Sequence, residues 1–169
     1  RAMWKHESTG ELVKFSRLPK NQQEELNKEN IELIKKKLPT DRFKLFVGDQ
    51  SNLDDLQGVV DECKEGYDII IDDGSHAAAH QQISLDFLFK HLKPGGVYVI
   101  EDLMMGTQRD DDPAVESTNT VLKSFQNTGK LSSHYIKDGP YLEENIEEID
   151  WPLQGRLNNK ICFITKKFT

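Results

Sequence analysis

Cysteine is nearly absent from this sequence: there are two in 169 residues, Cys63 and Cys162. A pair so widely separated excludes the disulfide framework of a small secreted domain. Both read as buried free thiols, which suits a reducing compartment, with the cytoplasm as the expected location. Long apolar runs are missing too. None approaches the roughly 18 residues a membrane span needs, and nothing at the start reads as a secretory leader. Basic residues are outnumbered, with 22 Lys and Arg against 29 Asp and Glu and a net charge of −7. That balance supplies no general field for nucleic acid. The one basic run, Lys35-Lys36-Lys37, reads as a solvated helix face. Internal repeats and low-complexity stretches are absent. What remains is a composition 36% hydrophobic and 30% charged, the length of one domain, 1–169. The chain opens on Arg1 rather than Met, so the expectation is a domain incomplete at its N-terminus.

The pattern along the chain alternates. Residues 21–38 carry an amphipathic stripe through Asn27, Ile31, Ile34 and Leu38, predicting a helix ended by Pro39. "FKLFV" (43–47) predicts a short strand. Ser51 or Asn52 then caps a helix through Leu53, Leu56, Val60 and Cys63. "YDIII" (67–71) and "VYVI" (97–100) are uninterrupted β-branched and aromatic runs, the signature of strands buried on both faces. Between them, Ile83, Phe87, Leu88 and Leu92 predict a helix over 77–92, ended by Pro94-Gly95. Asp112-Pro113 predicts a further helix start. Segments 131–137 and 160–166 predict two late strands forming an antiparallel pair. The order implies an α/β fold with a mostly parallel sheet.

In such sheets ligands bind beyond the carboxyl ends of the strands. Three strand ends carry acids: Asp49, then Asp72 and Asp73, then Glu101 and Asp102. Neighbouring strands stand about 4.8 Å apart, so Asp73, Glu101 and Asp102 are expected to converge. Converging carboxylates repel unless a cation sits among them, and a hard dication, Mg²⁺ or Mn²⁺, suits an all-oxygen set. His76, just past the Gly74-Ser75 turn, reaches the same space and suits a general base. The bland alternative is that Asp73 or Ser75 caps the 77–92 helix and Asp102 merely turns the chain.

The motifs "GDQ", "DIIIDDGSH", "LKPGGVYVIEDL" and a late "NNKICFITK" resemble the metal-dependent sugar O-methyltransferases of macrolide biosynthesis, of the mycinamicin type, with the cephalosporin-hydroxylase-like group as a near relation. The resemblance covers residues 43–103 well and 156–167 loosely. It implies a Rossmann-like class I methyltransferase sheet, mostly parallel with a C-terminal antiparallel pair. It implies that Asp73, Glu101 and Asp102 ligate Mg²⁺ and that His76 deprotonates the acceptor hydroxyl. Asp49 and Gln50 would lie against the adenine end of S-adenosylmethionine, and Asp72 near its methionine part.

The first strand of that fold leads into a glycine-rich turn under the cofactor, and the second ends in an acid. Residues 1–20 hold neither, and Gly10 stands alone. The first strand or strands are therefore expected to be lacking. They would precede Arg1, be supplied by a second chain in an oligomer, or be lost in a degenerate domain. The expected function is Mg-assisted O-methylation of a small-molecule hydroxyl, a sugar among the candidates, with no nucleic-acid or membrane partner. The alternatives are a non-catalytic methyltransferase-like interaction module, and a metal-dependent hydrolase or hydroxylase using the same acids.

Overall fold

A computed structural model of the chain describes residues 48–152 and 160–168. It also describes the backbone of 2–5 and 12–15 and positions 32, 33, 36, 44 and 46. Among these residues the strands are β1 (Ala2–Lys5), β2 (Leu12–Phe15), β3 (Tyr67–Asp72), β4 (Leu92–Ile100), β5 (Ile146–Asp150) and β6 (Cys162–Lys166). The helices are α1 (Leu53–Asp61), α2 (Ala78–Leu88), α3 (Thr118–Thr128) and α4 (Gly139–Asn145). The strands form one sheet in the order β2-β1-β3-β4-β6-β5. No helix of the described residues is long and apolar enough to cross a membrane.

The sheet is mixed. β3 and β4 pair in parallel through the β3-α2-β4 unit, and the other pairings are antiparallel. The late antiparallel pair exists, but its first member is β5 at 146–150 rather than 131–137. Residues 131–137 form an irregular loop, held where Asp86 accepts the amides of Lys137 and Asp138 at 3.1 and 3.0 Å. The edge of β3 left open in the sequence reading is taken by the β1–β2 hairpin, with Trp4 opposite Ile70. That strand runs antiparallel to β3.

Local signals set the helix ends. Asn52 caps α1, its side chain accepting the Asp54 and Asp55 amides at 2.9 and 3.4 Å. α3 starts at Thr118 under a Ser117 cap, not at Asp112. Asp112 instead turns the chain, accepting the Ala114 amide and the Tyr135 hydroxyl. α3 ends where Gly129 takes a φ of +70°, a left-handed cap that suits glycine. The predicted 77–92 helix ends at Leu88 and passes through one tight turn, Phe89–His91, so that "KPGG" lies inside β4. Glu32, Leu33 and Lys36 are helical, as the 21–38 stripe predicts, and the rest of that segment lies outside the described residues. Of 43–47, Lys44 and Phe46 are irregular and the other positions lie outside the description.

The core sits on one face of the β3-β4 pair. Ile70, Tyr98 and Ile100 are fully enclosed there, with Leu56, Leu85, Phe89 and Leu122 from the covering helices. Ile69, Ile71 and Val97, on the other face, are half-buried, so the two-sided burial expected of these strands holds only in part. Cys162 is buried and Cys63 half-buried, and the two form no disulfide with each other.

Candidate metal centre at the strand rim

The parallel register builds the rim. Asp72 stands opposite Ile100, and the Glu101 amide donates to the Asp72 carbonyl at 2.9 Å. Continuing one residue along each strand brings Asp73 level with Glu101, and Asp102 follows. Side-chain alternation along β3 then separates the two neighbouring aspartates. Asp72 points into the core, 1% exposed, and Asp73 points out to the rim.

Asp73, His76 and Asp102 each place a donor atom within 4.8 Å of the others. His76 Nε2 lies 3.4 Å from Asp102 Oδ2 and 3.9 Å from Asp73 Oδ1. Among the described residues, the buried His76 Nδ1 has no hydrogen-bond partner. Both His76 (φ +60°) and Asp102 (φ +55°) hold left-handed backbone that side-chain-bearing residues rarely adopt. Burial lowers the His76 pKa, although Asp102 and Asp73 pull it upward. Glu101 lies outside the tight trio, yet it feels it. Burial raises its pKa, and repulsion from Asp73 and Asp102 adds to that.

The residues present suit a hard dication. An octahedral Mg²⁺ shell has ligands about 2.0–2.1 Å from the ion, so opposite donors stand about 4 Å apart. The histidine stands 3.4 and 3.9 Å from the two aspartates and all three ligand atoms lie within 4.8 Å of one another, a spacing of that order.

The residues assigned to the cofactor are placed differently from one another. Asp49 is half-buried, and its carboxylate accepts the Ser51 amide and hydroxyl at 2.9 and 2.7 Å. Gln50 is buried. Its Nε2 donates to Asp72 Oδ1 at 3.1 Å, and its Oε1 accepts the Ser75 amide at 2.6 Å. Asp72 also accepts Ser84 Oγ at 2.5 Å and Tyr98 Oη at 3.4 Å. Burial raises the Asp72 pKa in spite of those donors. Gln50 and Asp72 thus hold each other and the turn above them. Gly74 leaves room for this contact, because a Cβ at that position would run into the Gln50 carboxamide.

The bland reading of the acids holds in part. Ser75 Oγ accepts the Ala77 amide at 3.3 Å, and the chain turns at Asp102 into the Leu103–Met105 turn. Neither Asp73 nor Ser75, however, accepts the first amides of α2. α2 starts at Ala78 after Ala77, which supplies no side-chain cap. The cap comes from Asp110, whose Oδ2 and Oδ1 accept the Ala78 and Ala79 amides at 2.8 Å each. Sequence reasoning took the acidic run before Pro113 for a helix start and missed this role. The signal was the absence of any capping residue at 77.

The acids gather at the carboxyl ends of two parallel strands, in an α/β fold that solved methyltransferase structures share in part. No family model matches the chain. It is similar to the mycinamicin VI 2''-O-methyltransferase of Micromonospora griseorubida, 33% identical over 114 residues that make up 62% of this chain and 28% of that protein. It is similar to the demethylmacrocin O-methyltransferase of Streptomyces fradiae, 43% identical over 79 residues, 43% of this chain and 19% of that one. Among solved structures, the MycE methyltransferase from the mycinamycin biosynthetic pathway in complex with Mg, SAH and mycinamycin VI aligns with a TM-score of 0.56. That alignment has 30% identity over 75% of this chain and 32% of that chain. The same methyltransferase with Mg and SAH gives a TM-score of 0.60 over 92% of this chain and 36% of that one, at 24% identity. The resemblance to the sugar O-methyltransferases is therefore real over the segment shared, and the chain spans about a third or less of these relatives' length.

Proposed function

We propose that residues 1–169 form a single methyltransferase-like domain whose rim serves a Mg²⁺-assisted, S-adenosylmethionine-dependent O-methylation of a small-molecule hydroxyl, a sugar hydroxyl being the natural class. The observation that carries the reading is the convergence of Asp73, His76 and Asp102 where β3 and β4 end. Asp73 and Asp102 would hold the dication, with Glu101 as the third acid beside them. The dication supplies positive charge that favours the ionised hydroxyl. S-adenosylmethionine supplies the methyl group on sulfur. Its adenine end is assigned to the surface beside Asp49 and Gln50 and its methionine part to the neighbourhood of Asp72. Gln50 and Asp72 act there by holding the floor, since their polar atoms are engaged inside the protein. His76 would take the hydroxyl proton, while the bound cofactor would supply the methyl group to that oxygen and leave as the thioether. The rest of the chain's task is to hold both reactants in line.

Titration calorimetry tests this. Wild-type chain is expected to bind Mg²⁺, Asp73→Ala to lose binding, and Glu101→Gln to weaken it. His76→Ala is expected to keep Mg²⁺ affinity and lose methyl transfer to a glycoside hydroxyl. An equal loss of Mg²⁺ binding in His76→Ala would make the histidine a ligand rather than a base. Wild-type chain that takes up neither Mg²⁺ nor S-adenosylmethionine would leave the fold as an interaction module.

A further inference from the structure

A metal centre divided between two strand ends is only as tight as the distance between those ends is fixed. Three side chains outside the trio span that distance, Gln81 from one half and Asp110 and Arg109 from the other. Gln81, on α2 and 2% exposed, donates from Nε2 to the Glu101 carbonyl at 3.1 Å. That carbonyl belongs to the peptide leading into Asp102. Asp110, in the segment that follows Asp102, accepts the first two amides of α2. Beside it, Arg109 Nη1 donates to the Ser75 carbonyl at 3.3 Å. α2 starts immediately after the Asp73–His76 turn, so whatever holds its first turn holds that half of the rim.

Each contact repairs a defect that the local sequence leaves open. Ala77 supplies no cap, so the leading amides of α2 have no partner of their own. A buried glutamine amide in mid-helix is expensive unless something accepts from it. In both cases the missing partner lies on the other half of the crevice. The helix is therefore complete only when the two halves stand at the observed separation.

We propose that Gln81 and Asp110 form a reciprocal staple that sets the gap between Asp73–His76 and Asp102, and so sets the affinity for a hard divalent cation. The proposal rests on the metal reading above. Both are positioning residues. Asp86 supplies the control, because it sits on the same helix and makes the same kind of two-pronged contact, to the amides of Lys137 and Asp138. It anchors a loop that carries no rim residue.

The experiment is Mg²⁺ titration calorimetry on the full chain, with thermal denaturation in EDTA alongside. Wild type, Asp73→Ala, Asp110→Asn, Gln81→Met and Asp86→Asn are compared. Asp110→Asn and Gln81→Met are each expected to weaken Mg²⁺ binding about tenfold, the usual scale for a residue that orients ligands without touching the ion. Asp86→Asn is expected to lower Tm comparably and leave Mg²⁺ affinity unchanged. Should Asp110→Asn fail to fold, Asp110→Glu, which keeps the charge and displaces the oxygens, gives the same comparison. Wild-type affinity in both staple variants, with binding lost in Asp73→Ala, overturns the staple alone. Equal weakening in Asp86→Asn also overturns it, since that is general loosening. Wild type that binds no Mg²⁺ overturns the metal reading, and the staple with it.

Discussion

The two ends of the β3-β4 pair are built to different standards. At the end where the strands begin, the buried and half-buried amines find acceptors. Lys93 Nζ bonds both oxygens of Asp68 at 3.0 and 3.1 Å. The buried Lys166 ammonium donates to the carbonyls of Leu92 and Lys90 at 2.7 and 2.9 Å, and more distantly to that of Phe89. Left-handed backbone there falls on Gly66 and Gly95, where it is free of side-chain strain. At the end where the strands finish, it falls on His76 and Asp102. Acids face one another, and a buried imidazole nitrogen has no partner among the described residues. The same two strands thus begin in a hydrogen-bonded anchor and finish in left-handed backbone and repulsion between acids. Strain and unmet charge of that kind persist where something besides stability is served.

The contrast can be broken at either end. The largest expected effect is at the anchor. Lys166→Met leaves its carbonyl partners buried without a donor, and a loss of about 3 kcal/mol is expected by urea denaturation. Mg²⁺ affinity is expected to stay at the wild-type level. A loss of Mg²⁺ binding there would mean that the two ends are not independent. Next comes Gly74→Ala, which drives a Cβ into Gln50 and is expected to destabilise by about 1–3 kcal/mol. Because Gln50 holds the Ser75 amide, this variant is also expected to weaken Mg²⁺ binding, and normal affinity would separate the turn from the site. Asp102→Gly sharpens the comparison in the opposite direction. It removes an acid and relaxes the left-handed backbone, so Mg²⁺ binding is expected to vanish while stability rises by about 1 kcal/mol. A fall in Tm would show that the backbone there is not strained.

The smallest effect lies away from both ends. The Leu131 amide and Lys130 hold the Glu143 carboxyl below its ordinary value. A lowered carboxyl pKa stabilises the fold above the unfolded value and loses that contribution as pH falls through the folded one. Glu143→Gln should therefore narrow the stability difference between neutral and acid pH slightly. An unchanged acid limb would show that the contact contributes nothing.

The strands on either side of the site were readable because their signals are local. "YDIII" and "VYVI" are dense β-branched and aromatic runs, and glycines punctuate them. The acids stood out because they follow those runs directly. The helix at 53–61 carried its own cap at Asn52. Where the partner is distant, the reading went astray. Residues 131–137 looked like a strand, yet they are held as a loop by Asp86, far away in sequence. Asp112-Pro113 looked like a helix start, while its carboxylate serves a tyrosine on another loop. The pairing of Asp72 with Gln50 in one buried hydrogen-bonded network joins residues 22 positions apart and had no local signal either.

What the amino-acid order determined alone is the α/β alternation, the placement of acids just past the strands, and the glycine turn that lets the chain reverse there. These depend on neighbours within a few positions, through side-chain alternation, β-branching and capping. Tertiary structure decided which acid faces inward and which faces the rim, what occupies the edge of β3, and what spaces the two halves of the crevice. Those outcomes depend on sheet register and on partners such as Gln81 with Glu101, or Asp110 with Ala78. Contacts between residues so far apart along the chain leave no mark on its local pattern.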